Sequence, residues 1–321
     1  MNNCPYISFV IAARNDDYGG NFLHRIQIFV NVLSELCEKY SLNSELIIVD
    51  WNPPITKESL VKVLSWPKNR KAILVRFIEV PSEIHKLFPK SDKMPMFEFI
   101  AKNVGIRRAD GEYIIVTNPD IIFSEDLIKF LALKKLSKES FYRVNRYDLE
   151  KIIPLDATTD EQLIFCEKNW TGVKTLNGDL KKKFPYFTNG YFFSLLSRFK
   201  AKLIYDPRPK IHTNASGDFF LMANSQWRKL RGYPELPIPC FVDSYVCFIA
   251  ASSGLSQVIL GGRKRIYHQG HKSYVNRANF YDEYKIFKNC AKEMMKYKKP
   301  LIVNKDDWGL EEESLKEYCF N

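Results

Sequence analysis

The sequence predicts an α/β fold with a mostly parallel central sheet and helices on both of its faces. Its N-terminal half alternates strand-like and helix-like segments, and the strand-like segments are apolar throughout. Strands that are buried on both faces read as continuous apolar runs, which is typical of parallel sheets. The 321 residues are 45% hydrophobic and 26% charged, a composition that supports a large core and excludes a disordered tail protein, a collagen or a mucin-like stalk.

The first strand is predicted over Tyr6–Ala13, and a flexible turn is expected at the Gly19-Gly20 pair that follows it. A helix comes next, because apolar residues recur at spacings of three and four, on one helical face. These residues are Leu23, Ile26, Val30, Leu33 and Cys37. The second strand is predicted over Glu45–Val49 and stops at the polar, proline-containing segment 50–54.

The third predicted strand spans Ala72–Val80, and the fourth spans Tyr113–Thr117. Between them, Phe97–Arg108 is predicted to be a helix with Phe97, Ala101 and Val104 on one stripe. In parallel sheets ligands bind outside the carboxyl ends of the strands. We therefore expect the polar residues at those ends to converge on one crevice. They are Arg14 and Asn15, Asp50, and Asn118-Pro119-Asp120.

Two common nucleotide-binding motifs are missing from this sequence. No G-x-G-x-x-G follows the first strand, so the dinucleotide fingerprint is absent, and no G-x-x-x-x-G-K-[ST] marks a P-loop. The formal net charge of +11 favours anionic partners without choosing among them.

The cysteine and hydropathy patterns bear on the compartment. The seven cysteines form no C-x-x-C pair, which argues against a zinc ribbon or a disulfide scaffold and favours a reducing compartment. No apolar window is long enough for a transmembrane segment. We expect a cytoplasmic protein.

Six segments, in order, resemble GT-A type glycosyltransferases and are similar to the family 2 nucleotide-sugar transferases. They are VIAARND (10–16), ELIIVDWNPP (45–54), AKNVGIRRADGEYIIVTNPDIIFS (101–124), SGDFFLMANSQWRKLRGYPE (216–235), FVDSYV (241–246) and IYHQGH (266–271). The resemblance implies a Rossmann-like sheet with a nucleotide-sugar-binding half over 1–135. It also implies a smaller acceptor-side, catalytic half of the same domain over 136–275 and a helical C-terminal tail over 276–321.

The resemblance also implies a divalent cation, Mn²⁺ or Mg²⁺, that offsets the charge of the donor diphosphate. Asp120 would be one ligand, and His271, preferred over the neighbouring His268, would be another. Such cations take carboxylate and phosphate oxygens. Asn118 stands where a D-x-D motif has its first carboxylate, so it departs from the family pattern and is expected to contact the donor through its amide.

Further donor contacts are implied at the ends of the first two strands and on the helix before the fourth. They are Ala13, Arg14, Asn15, Asp50, which would accept from the ring N–H of the base, and Asn103. Each has a simpler interpretation as a strand terminator, a loop residue or a capping residue.

Two acids are candidates for the chemistry of transfer. Asp243 begins an apolar segment that reads as a helix, where the helix dipole favours the charged form that a general base needs. Asp218 precedes a buried strand and would hold the transferred sugar or the acceptor. A candidate base favours an inverting reaction. A helix cap and a turn residue are the respective alternatives.

The resulting hypothesis is a metal-dependent transferase that moves a sugar from a UDP- or GDP-linked donor to a saccharide or glycoconjugate acceptor. Three alternatives stay open: a catalytically inactive GT-A fold that serves as an interaction module, a basic nucleic-acid-binding protein, and a nucleotidyltransferase. The second lacks any RRM, KH or zinc-finger signature, so no nucleic-acid partner is expected.

The remaining segments carry weaker signals. Pro154–Phe184 has no clean period and reads as an insertion or mobile loop. In the tail, Tyr281–Tyr297 is predicted to be a basic helix that could touch an anionic membrane surface, and Glu311-Glu312-Glu313 is predicted to start another helix.

Overall fold

The computed structural model describes residues 4–181, 210–236, 241–272 and 280–320. Its strands are β1 (Ile7–Ala13), β2 (Ser44–Trp51), β3 (Ile73–Val80), β4 (Tyr113–Thr117), β5 (Ile121–Phe123), β6 (Ser140–Val144), β7 (Arg146–Leu149), β8 (Trp170–Thr175), β9 (Gly178–Lys181), β10 (Phe219–Ala223), β11 (Ser256–Leu260), β12 (Ile266–Gln269) and β13 (Lys316–Phe320).

Helices connect most of these strands. They are α1 (Phe22–Lys39), α2 (Leu60–Val63), α3 (Ser82–His85), α4 (Glu98–Arg107), α5 (Glu125–Ala132), α6 (Thr159–Asn169), α7 (Asn224–Leu230), α8 (Val242–Ser252) and α9 (Phe280–Tyr297), with a 3₁₀ turn at Ser216–Asp218. The two helices predicted in the N-terminal half are confirmed as α1 and α4.

The main sheet has eight strands in the order β11-β6-β10-β4-β1-β2-β3-β13. Six of them run in one direction, and only β10 and β13 run against their neighbours. The predicted α/β class with a mostly parallel central sheet is therefore confirmed. Strands β6, β10 and β11 come later in the chain, between residues 140 and 260, and complete the sheet begun by β1–β4.

Apolar side chains project from both faces of the main sheet into two cores, which explains why its strands are apolar along their whole length. Phe9 and Ile11 of β1 lie in one core cluster, whereas Val10 of the same strand lies in the other. Helix α1 covers the first cluster and α4 covers the second. Helix α4 approaches β1 closely at Gly105, where a Cβ atom would lie 2.5 Å from Val10 Cγ1.

A second, five-stranded sheet has the order β5-β12-β7-β8-β9. Strand β5 follows β4 after only three residues, 118–120, and pairs antiparallel with β12. Strand β12 in turn pairs parallel with β7. The 118–120 loop therefore passes from one sheet to the other, which brings β12, from far along the chain, next to the end of β4.

The segment predicted as an insertion or mobile loop is ordered instead, so far as the structure describes it. A capping box at Thr158 and Glu161 starts α6, and the hairpin of β8 and β9 follows. Residues 182–184 of the predicted loop lie outside the described residues. The spacing of apolar residues did not predict α6, because this helix is short and buries only a few residues, among them Leu163 and Cys166.

The C-terminal tail is only partly helical. Helix α9 confirms the predicted basic helix, and it packs Phe287, Ala291 and Met294 into the core. The second helix predicted at 311–313 is wrong, because turns occupy this stretch and the edge strand β13 follows. The Arg108 guanidinium donates to the carbonyls of Gly309, Leu310 and Glu313, which fixes the turns.

Among the described helices, none combines the length and apolar character needed to cross a membrane. The predicted contact of α9 with a membrane surface stays a prediction.

Candidate functional site

The candidate site centres on Asp120, the last residue of the loop between β4 and β5. The Asp120 side chain is buried, and β12 and the segment after it place two histidines against it. Its Oδ2 atom lies 3.1 Å from His271 Nε2 and 3.8 Å from His268 Nε2. The structure thus brings together Asp120 and His271 as the sequence led us to expect, and it adds His268.

The three side chains could hold one metal ion. One ligand atom from each of Asp120, His268 and His271 can be chosen so that all lie within 4.8 Å of one another. The donor set of one carboxylate and two imidazoles suits Mn²⁺ and other first-row divalent cations. The described residues include no other group of three such side chains with this geometry.

Hydrogen bonds on the outer sides of the rings fix which nitrogen faces Asp120. His271 Nδ1 lies 2.9 Å from the carbonyl oxygen of Lys272, which can only accept, so Nδ1 carries a proton. His268 Nδ1 lies 3.5 Å from Asp148 Oδ1. Metal-binding histidines commonly donate their second N–H in this way. A proton on Nε2 and a metal ion on Nε2 are therefore alternatives at the same position.

The charge of Asp120 agrees with such a role. Burial raises the pKa of Asp120, but the hydrogen bond to His271 and the charges of His268, His271 and Arg25 lower it to about 2. Its Oδ1 atom is buried and has no hydrogen-bond partner among the described residues. A buried, ionised oxygen without a partner is costly, and a cation would satisfy it. The residues present therefore fit a divalent cation.

Burial lowers the pKa of His268, but the hydrogen bond to Asp148 and the charge of Asp120 outweigh burial, and the net shift is upward. His268 lies between these two carboxylates. Asp148 also pairs with Arg146 at 2.8 Å. The outer carboxylate thus orients the ring and increases its basicity, which strengthens it as a ligand.

Arg25 is a member of the site that we did not predict. Its Nη1 atom donates to Asp120 Oδ2 at 2.9 Å, its Nη2 atom donates to the Tyr18 carbonyl, and its side chain is 6% exposed. The sequence could have indicated that Arg25 is buried, because it lies on the apolar face of α1, three residues after Phe22 and four before Phe29. A charged residue on such a face indicates a buried partner.

Gly19 also contributes to the site, beyond the flexible turn that we expected. It has a φ of 74°, and a Cβ atom placed on it would lie 2.5 Å from His271 Nδ1. The neighbouring Tyr18 ring contacts the His271 ring edge to face, with centroids 5.4 Å apart. The loop between β1 and α1 therefore packs directly on one of the candidate ligands.

A polar network extends from this cluster towards the 3₁₀ turn at 216–218. Asn118 donates to Asp218 Oδ1 at 2.8 Å and accepts from Lys102 Nζ at 2.6 Å. Arg146 pairs with Asp218 Oδ2 at 2.5 Å and with Asp148 at 2.8 Å. Asn118 and Asp218 are thus adjacent. Lys102 bonds directly to the loop before Asp120, whereas Arg146 holds Asp218, the partner of Asn118; we predicted neither Lys102 nor Arg146.

Asp243 lies at the start of α8, as the sequence indicated, and next to the same turn. Its Oδ2 atom accepts from the Ser216 hydroxyl at 2.7 Å and from the Gly217 amide at 2.8 Å. Its Oδ1 atom accepts from the Ser244 amide at 2.8 Å. The Gly217 carbonyl accepts from Lys102, so Asp243 belongs to the network that contains Asn118.

The carboxyl ends of β1 and β2 lie side by side, because Ala13 pairs with Asp50 in the parallel ladder. Ala13 is buried, Arg14 donates to the Asn52 carbonyl at 2.7 Å and pairs with Asp16, and Asn15 donates to the Glu58 carbonyl at 2.8 Å. Arg14 and Asn15 thus tie the first loop to the segment after β2. Their contacts with a donor stay predictions.

Asp50 is fully buried at the end of β2, and neither of its oxygens has a side-chain partner among the described residues. Burial and the negative charge of Glu79 raise its pKa to about 7, against the opposing influence of Arg14. A hydrogen bond from the Leu60 backbone also lowers this pKa. A buried carboxylate with no side-chain partner, at a strand end, is suited to an N–H donor from a ligand.

Asn103 does not lie as the resemblance implied. Its amide nitrogen donates to the Tyr233 carbonyl at 2.8 Å and to Glu235 Oε1 at 2.9 Å, and its oxygen accepts from the Tyr233 amide at 2.8 Å. The side chain is fully buried, so these bonds account for its polar groups. Asn103 supports the turn at 232–235, and we no longer assign it to the donor.

The sequence matches no family model and no curated protein. Among solved structures, it is similar to the crystal structure of GalNAc-T7 with UDP, GalNAc and Mn²⁺, at 12% identity and a TM-score of 0.49, over 92% of this chain and 50% of that one. It is also similar to the crystal structure of S. aureus TarS 1-349, at 13% identity and a TM-score of 0.46, over 88% of this chain and 64% of that one.

This chain thus spans half the length of the first structure and 64% of the second. Both TM-scores are below 0.5. The strand order and strand directions of this chain by themselves define an α/β fold with a mostly parallel central sheet.

Proposed function

We propose that this protein is a glycosyltransferase that uses a divalent cation and a nucleoside-diphosphate sugar. The observation that carries the proposal is the convergence of Asp120, His268 and His271 at the carboxyl end of β4, within 4.8 Å of one another. In open α/β sheets this is the edge at which ligands bind. The motif resemblance supplies the reaction class.

When bound, the cation would offset the negative charge that develops on the departing diphosphate. Asp120, His268 and His271 would hold it, and the proposed metal is Mn²⁺ or Mg²⁺. The chain itself provides the rest of the donor site. Asn118 would orient the donor, since its amide is fixed by Lys102 and Asp218.

The nucleoside would lie against the ends of β1 and β2. Asp50 would accept from the ring N–H of the base, and Ala13, Arg14 and Asn15 would form the neighbouring wall. Support comes from the oxygens of Asp50, which have no side-chain partner among the described residues and would gain one when the base binds. We propose UDP or GDP as the nucleotide, and a saccharide or glycoconjugate as the acceptor.

Asp243 is the proposed general base for an inverting transfer. Three donors already fix its carboxylate, so a positioned acceptor hydroxyl would meet an oriented acceptor of its proton. Asp218, which is paired with Arg146, is proposed to hold the transferred sugar or the acceptor.

The test has two measurements, Mn²⁺ binding by calorimetry and Mn²⁺-dependent hydrolysis of a panel of UDP- and GDP-sugars. The Asp120→Asn variant keeps the shape of the side chain but loses its charge, and we expect at least a hundredfold loss in both measurements. Asp126→Asn is the matched control, because Asp126 lies half-buried at the start of α5, and its ion pair in the described part of the chain is with Arg263 at 3.3 Å. Wild-type protein that binds neither Mn²⁺ nor any nucleotide sugar would contradict the proposal.

A separate measurement addresses Asp243. The Asp243→Asn variant should bind donor as the wild type does and lose at least a hundredfold in transfer rate, since general-base catalysis contributes about 10²–10⁴. Normal transfer by this variant would exclude Asp243 as the base. Donor binding without turnover in the wild type would instead favour the inactive interaction module.

A further inference from the structure

A cavity of about 450 Å³ adjoins the Asp120 cluster on the side of α1. Its wall combines the glycine loop before α1, the start of α1, the segment 150–153 and the segment 269–272. Five of its side chains are basic or imidazole groups and only one is acidic. They are His24, Arg25, Lys151, His271 and Lys272, against Glu150. A cavity with this lining is suited to an anionic group.

Arg25 connects this cavity to the candidate metal site. It lines the cavity and at the same time donates to Asp120 Oδ2 at 2.9 Å. Its Nε atom is buried without a hydrogen-bond partner among the described residues. The guanidinium group therefore has an unused donor, and its only carboxylate partner in the described structure is the one that would bind the cation.

The local charges make the two binding events depend on each other. Three carboxylates and two guanidinium groups lie in the paired cluster, which gives a net charge of −1 with neutral imidazoles. They are Asp120, Asp148, Asp218, Arg25 and Arg146. A divalent cation changes this sum to +1. Both imidazole Nε2 atoms face Asp120 Oδ2, the oxygen that Arg25 also holds, so a cation bound there competes with Arg25. An uncompensated buried guanidinium group is costly.

We propose that Arg25 is shared between Asp120 and a phosphate-bearing group that binds in this cavity, so that the cation and the anion bind cooperatively. The cation takes Asp120, and Arg25 turns its donors to the anion. This inference rests on the proposed metal site. The phosphate group could belong to the donor diphosphate or to a phosphorylated acceptor, which present the same chemistry to Arg25.

Cooperativity of this kind is reciprocal and can be measured without turnover. Mn²⁺ is titrated calorimetrically into the wild-type chain with and without inorganic phosphate, and with and without UDP. We expect either anion to tighten Mn²⁺ binding at least fivefold. In Arg25→Gln, Mn²⁺ alone should bind about tenfold more tightly than to the wild type, because one competing positive charge is gone, and the effect of phosphate should fall below twofold.

Two further variants keep the test decisive. Lys151→Gln removes a positive charge from the cavity wall without touching Asp120, and it should change the affinity for Mn²⁺ alone less than twofold. Arg25→Lys keeps the charge and should bind Mn²⁺ alone as weakly as the wild type does. If Arg25→Gln does not fold, the wild type still decides the matter, because Mn²⁺ binding that inorganic phosphate leaves unchanged would overturn the role of Arg25.

The possible outcomes separate the two proposals. No Mn²⁺ binding to the wild type would overturn the proposed function, whereas Mn²⁺ binding that phosphate, UDP and the Arg25→Gln substitution leave unchanged would overturn only the role of Arg25. A final titration of phosphate in saturating UDP and Mn²⁺ identifies the source of the anion. Displacement by UDP assigns the cavity to the donor diphosphate, and retained phosphate binding assigns it to a phosphorylated acceptor.

Discussion

Replacing Gly19 by alanine should weaken metal binding by displacing a single histidine ring. The added Cβ atom would lie 2.5 Å from His271 Nδ1, whereas ordinary contacts begin at 3.4 Å, so the ring must retreat by about 0.9 Å (3.4 − 2.5). Ligand distances in metal sites vary by only about 0.2 Å. We therefore expect Gly19→Ala to lower Mn²⁺ affinity by about ten- to hundredfold, the range found when groups that orient a ligand are lost.

Gly20→Ala is the matched control for this experiment. Gly20 has a φ of 81°, close to the 74° of Gly19, so both substitutions impose a similar backbone strain of roughly 1 kcal/mol. No atom lies within 4 Å of the Cβ position at Gly20. Calorimetric Mn²⁺ titrations and thermal melting of both variants separate strain from displacement. Equal Mn²⁺ affinities for Gly19→Ala and Gly20→Ala would refute the reasoning.

Two further predictions concern stability. Because the pKa of Asp50 is raised to about 7 in the folded state, the free energy of unfolding of the wild type should fall as pH rises from about 4 to 7. Asp50→Asn should lack this fall. At pH 8 its free energy of unfolding, measured in urea, should exceed that of the wild type by about 2 kcal/mol. The same variant should bind UDP more weakly, and equal pH profiles for the two proteins would contradict the assignment. Asn103→Ala should cost about 3 kcal/mol through three lost buried hydrogen bonds, yet leave UDP affinity unchanged in the folded protein; a specific loss of UDP binding would return Asn103 to the donor site.

The fold was predictable because its parallel strands are buried on both faces and so stand out as apolar runs. The same pattern located Asp50 and Asp120, since polar residues that end such strands share one edge of the sheet. Strand β13 could not be found in this way. It is an edge strand whose residues are mostly exposed, and its pairing with β3 depends on contacts far apart in sequence.

The site was predictable only where a residue's position in an element fixes its neighbours. Asp120 and His271 were found from their motifs, whereas the pairing of Arg25 with Asp120 depends on how α1 crosses the two sheets. Asn103 shows the opposite failure. Its helix was predicted correctly, but the direction of its side chain follows from the turn at 232–235, which packs against α4.

Strand β13 pairs with β3, which would otherwise be the unpaired edge strand on that side of the main sheet. It covers β3, with Glu317 bound to Arg76 at 2.6 Å and the Phe320 ring stacked on Trp66 at 4.5 Å. Without residues 316–320, β3 would offer a row of free backbone donors and acceptors to any neighbouring chain, which is a known route to aggregation. Expression variants shortened at the C-terminus should therefore self-associate, even though every side chain of the candidate site would still be present.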